Sequence, residues 1–371
     1  MQIFTESDVK NKRIICRFDF DVPVLDDGKI ADTNRIDAAI PTISRLLQQN
    51  VEQILILAHR GKPVGVDATL TMQEVANYLA QKLSDNPSAT SEIVQQDAIN
   101  NLGVYGIFPK VYLLENIRFD AGEEKNDPKL AAEIARHGDV FIFDAFATAH
   151  REHASTVGVS ALLPHFSGLH LAQEIQYLSN IKDNPNQPLM FIIGGAKIED
   201  KLPIIEKLAP LADQFLIGGA VANTFLKSRN IDVKRSLVDP DFITQANDIF
   251  ERYEDKIMLP TDYAWDRDSI CDIGPETIMQ FEDALADAKT VFWNGNLGRT
   301  EDPRFSRGTL MIADVLARSP QITRVIAGGD TVGFLNQHQL ADKMTFVSTG
   351  GGASLDYLAG KSLPALTILD E

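Results

Sequence analysis

Lys197 and Lys201 stand four residues apart, just after a glycine pair, in FIIGGAKIEDK, and Asp330 follows a second glycine pair in VIAGGDT. Two further apolar runs end in the same way, FLIGGA at 215–220 and FVSTGGG at 346–352. A glycine pair beyond a buried strand lets bare backbone N–H groups approach a ligand, and the helix that follows points its positive end at the same spot. Lysines on one helical face would meet transferring phosphates as mobile point charges. A carboxylate beside them suits Mg²⁺, which takes one or two carboxylates together with phosphate oxygens. The chemistry indicated is polyphosphate binding; the alternatives are a solvated helix start for the lysines and a helix cap for Asp330. Neither GxxxxGK[ST] nor GxGxxG occurs, so the P-loop and dinucleotide fingerprints are absent.

The first half carries a different set. Arg17 and Asp19 in ICRFDFDVP, His59 and Lys62 in ILILAHRGKP, Arg118 in VYLLENIRF and Arg151 in FIFDAFATAHREH lie at or just beyond apolar runs, and Arg35 follows the loop DDGKIADTN. Ligands of open α/β sheets bind beyond the carboxyl ends of strands. Guanidinium forks pair bidentately with phosphate and carboxylate. The set predicts a site for a small, multiply charged anion, against the alternative of scattered surface arginines.

Such residues need rigid elements behind them. Near-continuous apolar runs at 54–58, 111–114, 140–143, 189–193, 215–217, 291–293, 325–327 and 346–348 read as strands covered on both faces. Helix-like segments at 72–83, 129–137, 240–253, 276–286 and 306–317 lie between them. The alternation predicts an α/β fold: two doubly wound, mostly parallel-sheet (Rossmann-like) domains joined by a helix and hinge. With 371 residues the chain exceeds what one core usually supports. The boundary is expected near 167, before an amphipathic segment at 169–181 that would join two lobes, giving domains 1–167 and 168–360.

Composition narrows the functions. The 52 acidic residues outnumber the 35 basic ones for a formal charge of −17, which opposes a general nucleic-acid or anionic-membrane role. No apolar run approaches the roughly 18 residues of a membrane span, and the first residues lack the apolar core of a signal peptide. A cytoplasmic protein is expected. Cys16 and Cys271 lie far apart, without metal-ligand spacing, and read as buried thiols.

RFDFDVP, AHRGKP, LLENIRF, DAFATAHR, IIGGAKIEDK, DIGPET, WNGNLG, AGGDT and STGGGAS occur in the order, and at about the spacing, of phosphoglycerate kinase motifs, and the chain resembles that family over essentially its whole length. The resemblance implies reversible, Mg²⁺-dependent phosphoryl transfer between 1,3-bisphosphoglycerate with ADP and 3-phosphoglycerate with ATP, by a monomer. It assigns 3-phosphoglycerate to Asp19, Phe20, Asp21, Arg35, His59 and Arg60, with Gly61, Lys62, Arg118 and Arg151. It assigns the nucleotide to Gly195, Lys197, Lys201, Gly219, Gly274 and Asn294, with Glu301 at the ribose and the turn Gly328, Gly329, Asp330, Thr331. Asp330 would hold the metal, and catalysis would fall to Arg35, Lys197, Lys201, Gly351 and Gly352. A carboxylate nucleophile is ionised at neutral pH, so no general base is required; alignment and charge neutralisation remain. In-line attack would require the lobes to close, with hinges near 169–181 and 349–354, and the tail 361–371 would return to the first lobe.

Several positions depart from the family pattern. Asp21 stands for Asn and Lys62 for Arg; Ala147, Ala220 and Ala327 stand for Gly; Asn296 stands for Pro; Arg299 and Thr300 replace an apolar pair. Weaker substrate binding than in a typical member is the expectation. A non-catalytic phosphometabolite or nucleotide sensor, or a kinase for another small carboxylate, are the alternatives.

Overall fold

The computed structural model describes residues 1–25 and 28–370. Asp26 and Asp27, in the loop before Arg35, and Glu371, in the tail, lie outside the described residues. The chain forms two units: Met1–Ile175 together with the segment from Ser362 onward, and Gln176–Lys361. The α/β reading with mostly parallel sheets holds in both.

The first unit is built on a seven-stranded sheet. Its strands are β1 (Arg13–Phe18), β2 (Gln53–Leu57), β3 (Glu92–Ile99), β4 (Leu102–Phe108), β5 (Val111–Leu114), β6 (Val140–Asp144) and β7 (His165–Ser167), in the order β3-β4-β5-β2-β1-β6-β7. Side chains alternate faces along a strand. Ile14 is paired with Ile54 and Val140, and Cys16 with Ile56 and Ile142, so these six line one face. Ile15, Leu55, Leu57, Phe141 and Phe143 fill the other, and both sets are buried. Hence the unbroken apolar runs. Helices cover the sheet: Gln73–Ser84 buries Val75, Ala76, Leu79 and Ala80, the spacing of one helical face, and ends at Asp85 in the left-handed region (φ 52°). The same register aligns strand ends, Arg17 with Leu57 and Phe18 with Asp144, so the loops after β1, β2 and β6 leave from one edge. β1 is followed by β2 on one side, while β6 lies on its other side. That is a topological switch point.

β3 and β4 run antiparallel and escape an apolar-run reading because the outer strand is half solvated, with Ile93 and Val94 exposed. The last helix, Pro364–Leu369, docks on the first unit, where Ala365 N–H donates to Ala149 O at 3.1 Å and the Met1 ammonium pairs with Asp370 at 2.5 Å.

The second unit carries β8 (Leu189–Ile193), β9 (Gln214–Ile217), β10 (Ile257–Met258), β11 (Tyr263–Asp266), β12 (Ser269–Ile273), β13 (Thr290–Asn294), β14 (Thr323–Ala327) and β15 (Phe346–Val347). Six form a parallel sheet, β10-β9-β8-β13-β14-β15, and β11 with β12 makes a separate antiparallel hairpin. Ile193 pairs with Ile217 and Asn294, and Asn294 with Ala327, so four strands again end level, with the switch point between β8 and β13. Helix Leu169–Asp183 leads from the first unit into the second. None of the helices is long and apolar enough to cross a membrane, among the described residues.

At this edge the turns interlock backbone to backbone. Gly194 N–H donates to Asn294 O at 3.0 Å, Gly195 N–H to Asn296 O at 2.8 Å and Gly219 N–H to Leu297 O at 2.9 Å. A Cβ on Gly194 would lie 2.2 Å from Asn296 O, and one on Gly295, which holds φ 96°, would lie 2.2 Å from Gly194 O. Gly351 (φ 55°) and Gly352 meet nothing within 4 Å. Gly295→Ala is therefore expected to lower the urea midpoint of the second unit through a stability loss above the backbone strain of about 1–3 kcal/mol, because a backbone clash adds to it. Gly351→Ala should cost only about the strain. Equal losses in the two denaturation curves would contradict the interlock.

Candidate functional site

The carboxyl edge of the first sheet gathers the predicted basic cluster. Arg17, at the end of β1, is 1% exposed and serves as its floor: Nε donates to Ser155 Oγ at 2.9 Å, and Nη2 donates to His59 Nδ1 at 3.0 Å. A guanidinium cannot accept, so His59 carries its proton on Nε2, which lies 3.7 Å from Asp21 Oδ2. Burial first, then the charges of Arg17, Arg118, Arg151 and Arg35, hold the imidazole well below its ordinary pKa. His59 is thus a neutral donor within a ring of four arginines.

Each arginine is held differently. Arg35 pairs with buried Asp19 at 2.9 Å and donates to Asp21 O at 3.2 Å. Arg118 donates to Gly61 O at 2.5 Å and pairs with Glu124 at 3.3 Å. Arg151 is half-buried beside His150, and Lys62 is exposed on the loop after β2. Gly61 (φ 62°) donates its N–H to Asp21 Oδ1 at 2.7 Å, joining the loops after β1 and β2. The side chains of two expected residues go elsewhere. Phe20 is fully buried and stacks on Phe18 at 5.7 Å, and Arg60 donates to Thr71 O at 2.5 Å and Thr69 O at 2.8 Å, holding the following loop.

Glu123 escaped sequence reasoning. Fully buried, it accepts from Ser155 N–H at 2.9 Å and Ser155 Oγ at 2.6 Å, and it lies 3.6 Å from His153. Burial opposes its ionisation, but His153, Arg17 and Ser155 outweigh that and keep its pKa below the usual carboxylate value. Glu123, Ser155, Arg17 and His59 form one buried chain of contacts. No local signal marks it, because its members are far apart in sequence.

The carboxyl edge of the second sheet gathers the phosphate set. Lys197 is exposed at the cap of helix Ile198–Leu208, and Asp330 is exposed in the first turn of helix Gly329–Gln337. Lys201 is 8% exposed and donates to Asn294 Oδ1 at the end of β13. Burial pulls the Lys201 ammonium down to about 8; Asp200 and Asp330 partly oppose this and Lys197 adds to it. Gly328 (φ 96°) lies against the Asn294 amide, and Gly329 faces open space. Thr331 is fully buried, and its Oγ accepts from Gly295 N–H at 3.0 Å, which makes it a clamp on the turn.

Beside this edge lies a cavity of about 570 Å³, lined by Gly195, Gly219, Glu301 and Asp330, and beyond them by the hairpin residues Tyr263 and Cys271. Its shape and mixed lining suit a small ligand. Gly274 does not line it: a Cβ there would strike Asp262 Oδ2 at 2.2 Å, so this glycine serves the packing of helix Pro275–Leu285. Of the departures, Ala220 lines the cavity while its N–H donates to Gly195 O at 3.0 Å, and Ala327 is fully buried. Arg299 also lines the cavity, but pairs with Asp266 at 3.1 Å and covers the Phe305 ring at 5.1 Å. Asn296 Nδ2 donates to Thr300 Oγ at 2.7 Å.

Two edges with complementary chemistry therefore occur in one chain. A model of the phosphoglycerate kinase family matches residues 4–361. The phosphoglycerate kinase of Nostoc punctiforme is 39% identical over 392 aligned residues, covering 99% of this chain and 98% of that protein. That of Thermosynechococcus vestitus is 40% identical, over 98% and 97%. Among solved structures, phosphoglycerate kinase from Coxiella burnetii superposes with a TM-score of 0.83 at 34% identity, over 98% of this chain and 97% of that one. The enzyme from Pyrococcus horikoshii gives 0.85 at 28% identity, over 100% and 98%. With the family matched along nearly all of its length, the chain belongs to the phosphoglycerate kinase family.

Proposed function

We propose that this chain is a phosphoglycerate kinase that passes a phosphoryl group between 1,3-bisphosphoglycerate and ADP in one direction and 3-phosphoglycerate and ATP in the other. The observation that carries the reading is the pairing, within a full-length family match, of an arginine-ringed edge on one sheet with a lysine, aspartate and glycine edge on the other. The first edge would bind the acid, with Arg35, Arg118 and Arg151 on its anionic groups and neutral His59 donating from Nε2. The second would bind the nucleotide, with its base and ribose in the cavity beside Glu301 and its phosphates near Lys201, Gly328 and Gly329. Transfer is direct and in line, on closure of the units. Lys197 and the N–H groups of Gly351 and Gly352 stabilise the charge on the transferring oxygens.

The residues present fit a magnesium ion held chiefly by substrate. No cluster of three His, Cys, Asp or Glu side chains poised for a metal occurs among the described residues, but Asp330 offers one exposed carboxylate beside the glycine turn. One hard oxygen ligand plus phosphate oxygens is what that ion takes. When bound, it would neutralise phosphate charge. The net charge of −17 argues against a nucleic-acid partner, and the family resemblance supports a cytoplasmic monomer.

A coupled assay of ATP consumption with 3-phosphoglycerate tests the activity, and folded protein without turnover would instead support the sensor reading. In that assay Lys197→Ala should lower kcat roughly a hundredfold or more while 3-phosphoglycerate affinity stays near its starting value. Comparable losses in both would remove Lys197 from the transfer step.

The Lys201 ammonium gives a pH signature. Its proton is present below about 8 and lost above, and bound phosphate favours the charged form. ADP affinity should fall as pH rises through that value, with proton uptake on binding at the alkaline side. Lys201→Arg should flatten the profile, because arginine keeps its charge. Calorimetry in buffers of different ionisation enthalpy reads both effects, and a flat wild-type profile would contradict the assignment.

Asp21 places a carboxylate where an anionic substrate is to bind. Asn would keep an acceptor for Gly61 N–H and remove the charge. Asp21→Asn should tighten 3-phosphoglycerate binding roughly two- to fivefold, the scale of a partly exposed charge interaction. Weaker binding of the variant in a direct titration would show that the carboxylate serves the substrate.

A further inference from the structure

We propose that Glu123 is a positioning residue for the acid site: through Ser155 and Arg17 it fixes His59 as a donor from Nε2, and through Ser155 and Ala154 it pins the segment after Arg151. The inference rests on the reading of the first edge as the site of the acid. Glu123 itself is fully buried, so it acts only through the groups it holds.

The direction of each hydrogen bond is forced in turn. Burial opposes the charge of Glu123, but His153, Arg17 and Ser155 outweigh it, and the ionised carboxylate only accepts. The Ser155 hydroxyl, 2.6 Å from Glu123 Oε1, must therefore donate to it. That leaves the lone pairs of Ser155 Oγ to Arg17, whose Nε donates at 2.9 Å. With Nε engaged, the planar guanidinium is held in one orientation, and its Nη2 meets His59 Nδ1 at 3.0 Å. One ring nitrogen of a neutral imidazole accepts and the other donates, so the proton lies on Nε2. Neither Glu123, Ser155 nor Arg17 exceeds 1% exposure, so bulk solvent does not replace a missing partner.

The same carboxylate reaches a second cation. Its Oε2 accepts from Ser155 N–H at 2.9 Å, and the main-chain oxygen of Glu123 accepts from Ala154 N–H at 2.9 Å. Both bonds anchor the start of the helical turn Ala154–Gly158, from which Thr156 Oγ donates to Arg151 O at 2.8 Å. The adjacent Glu124 pairs with Arg118 at 3.3 Å. One short loop thus restrains Arg17, Arg118 and the backbone of Arg151.

Two variants separate positioning from packing. Ser155→Ala deletes the hydroxyl and keeps both backbone bonds to Glu123. Glu123→Gln keeps an acceptor for Ser155 N–H but turns an amide donor toward the hydroxyl; should it not fold, Ser155→Ala carries the test. Nitrogen-15 NMR of the full chain, with His59 assigned by the signals lost in His59→Gln, should show the Nε2–H tautomer alone in the unaltered protein and a mixture with Nδ1–H in both variants. Calorimetry should find 3-phosphoglycerate bound about tenfold more weakly by each, the scale of a lost hydrogen bond to a charged group, with ADP affinity unchanged. In the coupled assay KM for the acid should rise while kcat stays within about threefold. A merely structural role would move the urea midpoint and leave the tautomer alone. Variants that keep the single Nε2–H signal, or that bind the acid as the unaltered chain does, overturn the inference alone. An unaltered chain that binds no 3-phosphoglycerate overturns the acid-site reading and this inference together.

Discussion

The second unit depends on how closely two backbones meet at the carboxyl ends of β8 and β13. Hydrogen bonds from Gly194 and Gly195 to Asn294 and Asn296 draw the turns together until neither Gly194 nor Gly295 has room for a Cβ. That approach brings the end of β13, with Asn294, beside the helix that carries Lys201. A buried ammonium facing a neutral amide is solvated but not neutralised, which is why its pKa falls; a carboxylate in place of Asn294 would have raised it. The edge is left short of negative charge, which under the proposed function a phosphate would supply.

The first unit reaches a similar imbalance by another route. Arginines crowd around one imidazole, and the carboxylates among them are already engaged: Asp19 with Arg35, Glu123 with Ser155, Glu124 with Arg118, and Asp21 with the Gly61 N–H. In a chain of net charge −17 such a concentration of cations has to be held against its own repulsion. Burial of Arg17 on Ser155, and through it on Glu123, provides that restraint. Keeping His59 neutral lowers the repulsion further while retaining a directional donor.

Much of this was legible in the chain. Strands buried on both faces announce themselves as apolar runs, and the charged residues just beyond them mark the edge where a ligand binds, because parallel strands in register end level. What periodicity cannot show is the direction in which a side chain leaves its loop. Arg60 and Phe20 stand beside binding candidates in sequence yet turn to Thr69 and Phe18, and Thr331 closes on Gly295. Glycine pairs carry the same ambiguity: those at 194 and 218 admit a neighbouring backbone, whereas those at 328 and 351 border open or nearly open space. The hairpin of β11 and β12 stayed hidden because its strands are largely half-exposed and lack an apolar run.

The docking of helix Pro364–Leu369 on the first unit has a consequence for how the chain is made. Residues near both ends of the sequence meet there, Met1 against Asp370 and Ala149 against Ala365. The second unit is therefore an insertion into the first. On the ribosome, the sheet that would hold the acid emerges early but waits for the segment from Ser362 onward before its packing is complete, while Gln176–Lys361 is finished sooner. A premature stop shortly before Ser362 would thus leave the later-made unit whole and the earlier-made one open.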